Sequence, residues 1–358
     1  MRFCITIIAM LFFAQAILAD TVYQRGGVPP IQGRISIDDA GVNVITELGA
    51  KHYVPWDRVK DVDSEKLEQT LKSKLEVATD LWRARSRVQR NDTTLAEPLF
   101  ERLFEQYRGQ THETALVVAE GLLRCRLARG DHILAVIPAL ETARLLRAEV
   151  STDIYSMLQS VMDDKRSLCP QLAPVWLGSP LLKKLVHDLG EFDAQGDETI
   201  AAIASLYKQA VQQTLGEPQT QIQGQQLTNH DGVKFLSLLV FCRDKESDKR
   251  NNARERLRRK ITNEQHWTNA WSYMMIGLSL ISEDGQGRQL QGVVNLLHVP
   301  ARFVRSQPYL AGLALSDASI ALKALGDYEA ADALGLELRR SLPNHPIHLN
   351  TLPEKSSK

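Results

Sequence analysis

The chain is poor in most of what announces a function. Aromatic residues fill only 6% of its 358 positions, and cysteine occupies four. Neither sign of charge is in surplus: 43 Lys and Arg face 43 Asp and Glu. A neutral chain has no global field to steer polyanions, so nucleic acid is excluded as the default partner. Beyond the N-terminus there is no long apolar run. The strongest, residues 235–242 (FLSLLVFC), falls far short of the roughly 20 residues that span a bilayer and reads as a buried element. Catalytic signatures are missing too: no G-x-S-x-G elbow, P-loop, dinucleotide fingerprint or H-E-x-x-H. His112 beside Glu113 has no second histidine at metal spacing and reads as a helix N-terminal turn. His345 and His348 have no cysteine or carboxylate cluster around them and read as a solvated tail. No catalytic residue, metal or cofactor is expected.

What is present begins with residues 1–19, MRFCITIIAMLFFAQAILA: one basic residue, Arg2, a short apolar run, then small residues. That is the layout of a secretory signal peptide, with cleavage expected after Ala19, or after Ala16. Cys4 lies inside the apolar run, which argues against a lipoprotein anchor. The mature protein is expected to be exported, periplasmic or extracellular, without a transmembrane span. Cys125, Cys169 and Cys242 then remain, an odd number that cannot pair fully within one chain. They read as small buried hydrophobes, with one disulfide involving Cys169 the alternative.

Residues 20–62 form a small β module. Ile31, Gly33, Ile35 and Ile37 alternate with polar residues, as do Val42 and Val44, and Tyr53, Val54 and Trp56 follow. Period-two patterning broken by Asp38-Asp39-Ala40-Gly41 and by Leu48-Gly49-Ala50 predicts an antiparallel meander or barrel. The run G-x-I-x-I-D-D-x-G-V-x-V, followed by V-P-W-D-R-V-K-D-V, is similar to the strands of small Sm-like or SH3-like barrels. The resemblance implies a module that caps the helical part or takes a peptide at an edge strand.

From Ser64, expected as an N-cap with Glu65 in the first turn, the period becomes helical: Leu67, Leu71, Leu75, Ala78 and Leu81 recur every third or fourth residue. Helices are expected over 97–107, with Pro98 in the first turn, and over 112–129, 131–147, with Pro138 as a kink, 153–162, 181–189 and 198–215. The division expected is a helical hairpin domain over 63–215, a Gln-rich polar linker over 216–232, a second hairpin domain over 233–343 and a tail over 344–358.

Residues 313–343, LALSDASIALKALGDYEAADALGLELRRSLP, resemble one tetratricopeptide repeat, a helix–turn–helix unit of about 34 residues. The resemblance assigns Ser319 and Ala331 to the close helix contact and Leu322 to the partner helix. It assigns Gly326 and Tyr328 to the turn, with the tyrosine filling the gap above it, and Pro343 to closing the unit. Leu315, Gly335 and Leu338 depart from the family pattern. Residues 119–143 and 267–297 repeat the idea weakly, and Trp267 and Trp271 are one turn apart, able to share a buried face. The fold expected is mainly α, irregular TPR-like hairpins behind a small β module. The resemblance implies an exported, bacterial-type scaffold that binds an unidentified protein partner.

The strongest charge feature is residues 243–260, with nine Lys or Arg against four Asp or Glu. It reads as an exposed helix laced with ion pairs; the alternative is an anion-binding patch built on Arg250, Arg254 and Arg258. Two rival functions follow: an envelope enzyme with a site between the β module and the helices, and a binder of anionic polymer.

Overall fold

The computed structural model describes residues 20–64, 68–218, 229–264 and 266–350. The expected signal segment with Ala16 and Ala19, the Glu65 turn, most of the polar linker and the last eight residues lie outside them. The described residues form two compact units, one ending at Trp82 and the other beginning at Arg83. They comprise a small antiparallel sheet followed by helices.

The first unit holds five strands: β1 (Asp20–Gln24), β2 (Ile31–Ile37), β3 (Gly41–Ile45), β4 (Lys51–Pro55) and β5 (Val59–Asp63). Their order is β4-β3-β2-β1-β5, every pair antiparallel. The meander is therefore extended by β5 returning to the far side of β1. β1 carries no alternation long enough to announce it, yet it lies between two neighbours. The inward positions Val22, Ile35, Val42, Val44, Val54, Val59 and Val62 make the core. Asp38 shapes the β2–β3 hairpin by accepting from the amides of Ala40 and Gly41 at 2.8 and 2.9 Å. Gly41 is required there, because a Cβ would lie 2.4 Å from the Val54 carbonyl oxygen. Trp56, in a 3-10 turn (Trp56–Arg58) between β4 and β5, is fully buried and donates its indole N–H to Asp38 O at 2.9 Å. The first part of α1 (Glu68–Gln89) buries Leu71, Ala78 and Leu81 in this unit. Arg25 binds Thr79 at 3.1 Å and lies over the Trp82 ring.

The second unit is helical: α2 (Thr93–Tyr107), α3 (Glu113–Arg129), α4 (His132–Arg147), α5 (Leu181–Gly190), α6 (Glu198–Leu215), α7 (Asp231–Phe241), α8 (Ser247–Lys260), α9 (Trp267–Ile281), α10 (Gln286–Phe303), α11 (Pro308–Ala324), α12 (Tyr328–Ser341) and the short α13 (Ile347–Asn350). From α2 to α4 and from α4 to α12, each helix packs against its successor, and α4·α6, α7·α9 and α9·α11 meet across one intervening helix. Short connections enforce this hairpin-like succession from α2 to α4 and from α7 to α12, whereas the long segment 148–180 joins α4 to α5. Gly130, at φ +82, ends α3 in the left-handed conformation, and its amide bonds Arg126 O and Leu127 O. Asp197 caps α6 by accepting from the amides of Thr199 and Ile200.

Two local expectations are corrected, and a third position is located. Helix α2 begins at Thr93, so Pro98 lies beyond its first turn. Helix α4 continues on both sides of Pro138, the position expected to kink it, and the Pro138 carbonyl accepts from the Thr142 hydroxyl at 2.8 Å. Residues 153–162 are turns, not helix. There the Thr152 hydroxyl accepts from the Ile154 amide and the Ser160 hydroxyl accepts from the Met162 amide. These local bonds compete with a helical ladder.

Candidate functional site

Residues 151–180 have no helix or extended strand, yet Ile154, Tyr155, Met162, Leu168, Leu172, Val175 and Trp176 are buried. Buried backbone must find hydrogen-bond partners. Side chains of the helices supply many of them. Gln89 at the end of α1 donates to Ile154 O at 2.7 Å, Arg124 of α3 to Gln159 O at 3.0 Å, Tyr207 of α6 to Leu172 O at 2.6 Å, and Trp271 of α9 to Pro170 O at 3.1 Å. The segment answers by donating Tyr155 Oη to Val117 O of α3 at 3.0 Å and the Leu177 amide to Tyr309 Oη of α11 at 3.3 Å. It is a strap tied to helices from both ends of the unit.

The two ends also meet directly. The His132 ring at the start of α4 stacks on Tyr309 at the start of α11, with centroids 3.7 Å apart and planes 14° apart. Tyr309 in turn stacks against His345 at 5.4 Å. Contrary to the expectation of a solvated tail, His345 is buried: its Nε2 bonds Tyr309 O at 2.9 Å and its Nδ1 accepts from the Ile347 amide at 3.2 Å. Gly312 makes the room, since a Cβ there would lie 2.4 Å from the imidazole. Burial pushes the His132 pKa down to about 4 and lowers that of His345, so both imidazoles are neutral at pH 7.

Along this seam run two open recesses of about 570 and 380 Å³ that share Leu127, Ala128, Gln171, Ser306 and Gln307. Both volumes fall in the range of ligand sites. Trp267 flanks the larger and Tyr309 the smaller, and side-chain amides and hydroxyls recur in both. No carboxylate lines either one among the described residues. Arg124 in the larger recess is already engaged by Glu120 at 2.7 Å. Gln307 is the unusual member. It is the N-cap residue of α11, it is 5% exposed, and its side chain makes no capping bond. Sequence reasoning passed over it; the signal was a glutamine before Pro308 where a short capping residue is favoured.

The residues singled out from sequence fall in two other places. In the α11–α12 hairpin, the Ser319 hydroxyl donates to Ala331 O at 2.8 Å, Ala331 is fully buried and Leu322 nearly so. Gly326 takes φ +85 in the turn, and Pro343 follows the end of α12. Tyr328 does not fill the gap above the turn: it is 66% exposed, and Asp327 holds the start of α12 by accepting from the Ala330 amide at 3.1 Å. On α8, Arg250 and Arg254 turn inward onto Glu283, each at 2.8 Å, where Arg288 also reaches it at 3.1 Å, while Arg258 stays exposed. Burial alone would raise the Glu283 pKa, but hydrogen bonds from Arg250 and Arg254 outweigh it and hold the carboxylate below its usual range. The three arginines therefore do not converge on one exposed face.

Chemistry elsewhere is quiet. Cys125, Cys169 and Cys242 are free and buried, and burial pushes each thiol up to about 12, far from a thiolate at neutral pH. His112 caps α3, its Nδ1 accepting from the Ala115 amide at 3.2 Å. Among the described residues no three His, Cys, Asp or Glu side chains come together as metal ligands, and no helix is long and apolar enough to cross a membrane. No family model matches the chain, and no curated protein or solved structure matches it.

Proposed function

We propose that the protein is an exported scaffold that binds a protein partner through TPR-like helical hairpins in an envelope assembly. The observation that carries this reading is the α11–α12 hairpin: a left-handed glycine turn at Gly326, the small residues Ser319 and Ala331 at the crossing, and α9, α10, α11 and α12 packed in succession with α9 also meeting α11. Stacking of that kind makes surface for recognition rather than chemistry. Export rests on the layout of residues 1–19. The strand order β4-β3-β2-β1-β5, with a 3-10 turn before β5, supports the resemblance of the N-terminal module to an SH3-like barrel.

Affinity purification of the mature, tagged protein from its native envelope, followed by mass spectrometry, tests the reading. A reproducible protein partner is expected, lost when the α11–α12 hairpin is disrupted. No partner from a folded preparation overturns it. N-terminal sequencing of the exported chain is expected to begin at Asp20, or at Ile17 if cleavage follows Ala16.

A further inference from the structure

We infer that the outward face of α12 pairs antiparallel with α12 of a second copy of this chain, making the protein a two-fold dimer. This goes beyond the scaffold reading and does not depend on it.

Helix α12 has two unlike faces. Ala331 and Leu338 are buried, and its main neighbour is α11. On the opposite side Glu329, Ala333, Leu336 and Arg340 are all exposed, Leu336 by 62%. Their spacing of four, three and four residues is that of a coiled-coil seam, and it sets the four side chains in one row along the helix. A helix at the end of a stacked array normally turns a polar face to water. This row instead has an alanine and a leucine at its centre, between two charges of opposite sign.

Those two charges are available. Neither Glu329 nor Arg340 forms an ion pair with another described residue. The acidic residues that flank the row are already engaged: Asp332 bridges Lys323 of α11 at 3.5 Å, and Glu337 accepts from the Ser341 hydroxyl.

Reversed, the row is its own complement. A two-fold axis crossing α12 between Leu334 and Gly335 sets Glu329 opposite the partner's Arg340 and Ala333 opposite the partner's Leu336, and each contact occurs twice. Leucine then meets alanine, so a large side chain enters the space beside a small one and the helices approach closely. A parallel pairing would set Glu329 against the partner's Glu329 and Arg340 against the partner's Arg340, and like charges repel. Unlike charges at the two ends therefore select the antiparallel direction. Another protein would have to carry the matching pattern; a second copy of this chain already does. One helix pair is small beside the roughly 1,600 Å² of a typical stable interface, so a reversible dimer of micromolar affinity is expected.

Sedimentation velocity of the full mature protein from low to high micromolar concentration tests this, and a monomer–dimer equilibrium is expected. Glu329→Arg and Arg340→Glu each place like charges at both ends of the pair, and each is expected to weaken the dimer about tenfold. Mixing the two variants restores unlike charges at both ends, so a heterodimer as strong as wild type is expected, which also shows that both variants fold. Oxidation of a mixture of Ala333→Cys and Leu336→Cys chains is expected to cross-link them well above either variant alone, since Cys125, Cys169 and Cys242 are buried. A monomer throughout the range overturns the inference. So does a dimer indifferent to both charge variants, a mixture that fails to recover, or a cross-link with no preference for the mixed pair. A chain that dimerises only once residues 351–358 are removed also overturns it, because that segment then covers the row.

Discussion

The strap over residues 151–180 and the helices α9 to α12 both bury large side chains, and they do so by different means. In α9 the buried residues Ala270, Trp271, Met274, Met275 and Ile276 follow helical spacing, and the backbone satisfies itself. In the strap Tyr155, Leu172 and Trp176 are as well buried, but the backbone relies on side chains far away in sequence: Gln89, Arg124, Tyr207, Trp271. Regular structure makes burial a local property. Irregular structure makes it a property of the whole unit, held by a few specific donors whose loss leaves a carbonyl unpaired. The helices should therefore fail in proportion to lost volume, and the strap in proportion to lost hydrogen bonds.

The largest expected effect lies where the two regions meet. Trp271 is fully buried, its ring lies 6.1 Å from Phe235 and 4.6 Å from Trp267, and its indole N–H donates to Pro170 O in the strap. Trp271→Ala is expected to destabilise the helical unit by about 3–5 kcal/mol, read by denaturant unfolding. Trp271→Phe retains most of the volume and removes the N–H, so its smaller loss measures what the strap contact contributes.

The helical half of that comparison was legible before the structure. The bounds expected for α3, α4, α5 and α6 lie within a residue or so of those observed, because Leu116, Ala119, Leu122 and Leu123 and their counterparts repeat at helical spacing and Gly130 and Gly216 stop the chain. The strap was not legible. Residues 153–162 have helix-compatible spacing, but Thr152 and Ser160 bond the local backbone instead, and the burial of Tyr155 depends on Val117, 38 positions away. The seam was hidden for the same reason: His132, Tyr309 and His345 come from three distant stretches, and no local pattern marks a histidine destined to be buried. Strand β1 was missed because five residues carry too little alternation to stand out.

The seam gives the second effect, in pH. Burial depresses His132 to about 4, against an ordinary value near 6.5 in the unfolded chain. Between those values the unfolded chain binds the proton and the folded one does not, so stability present at neutral pH is lost as pH falls from about 6.5 toward 4. His345, lowered for the same reason, adds in the same direction. At 1.36 kcal/mol per pKa unit, His132 is expected to account for up to about 3 kcal/mol. His132→Phe, which keeps a ring against Tyr309, is expected to flatten the curve of unfolding free energy against pH over that window. An unchanged slope would remove the imidazole from the account.

Tyr207→Phe isolates the strap further. It deletes only the hydroxyl that donates to Leu172 O at 2.6 Å, leaving a buried carbonyl without that partner. A loss of about 1–3 kcal/mol is expected, the desolvation penalty of an orphaned acceptor. Hydrogen exchange should rise first in residues 168–176 and not in α9 to α12, because the bond ties one region and not the other.

The smallest effect is expected in the hairpin that carries the functional reading. Ser319→Ala deletes the 2.8 Å bond to Ala331 O, but Ala331 lies in the first turn of a helix and the volume at the crossing is almost unchanged. About 0.5–1 kcal/mol is expected, the net worth of an ordinary hydrogen bond. Ser319→Leu changes shape instead: the side chain must enter a crossing where Ala331 is fully buried, next to the fully buried Ala318 in sequence, and overpacking of that kind typically costs about 1–3 kcal/mol. If Ser319→Leu is the more harmful of the two, the crossing is held by close approach, as a TPR-like hairpin requires. If Ser319→Ala is as harmful as Ser319→Leu, this hairpin depends on its hydrogen bond as the strap does, and the distinction between the two regions fails at the place where the scaffold reading needs it most.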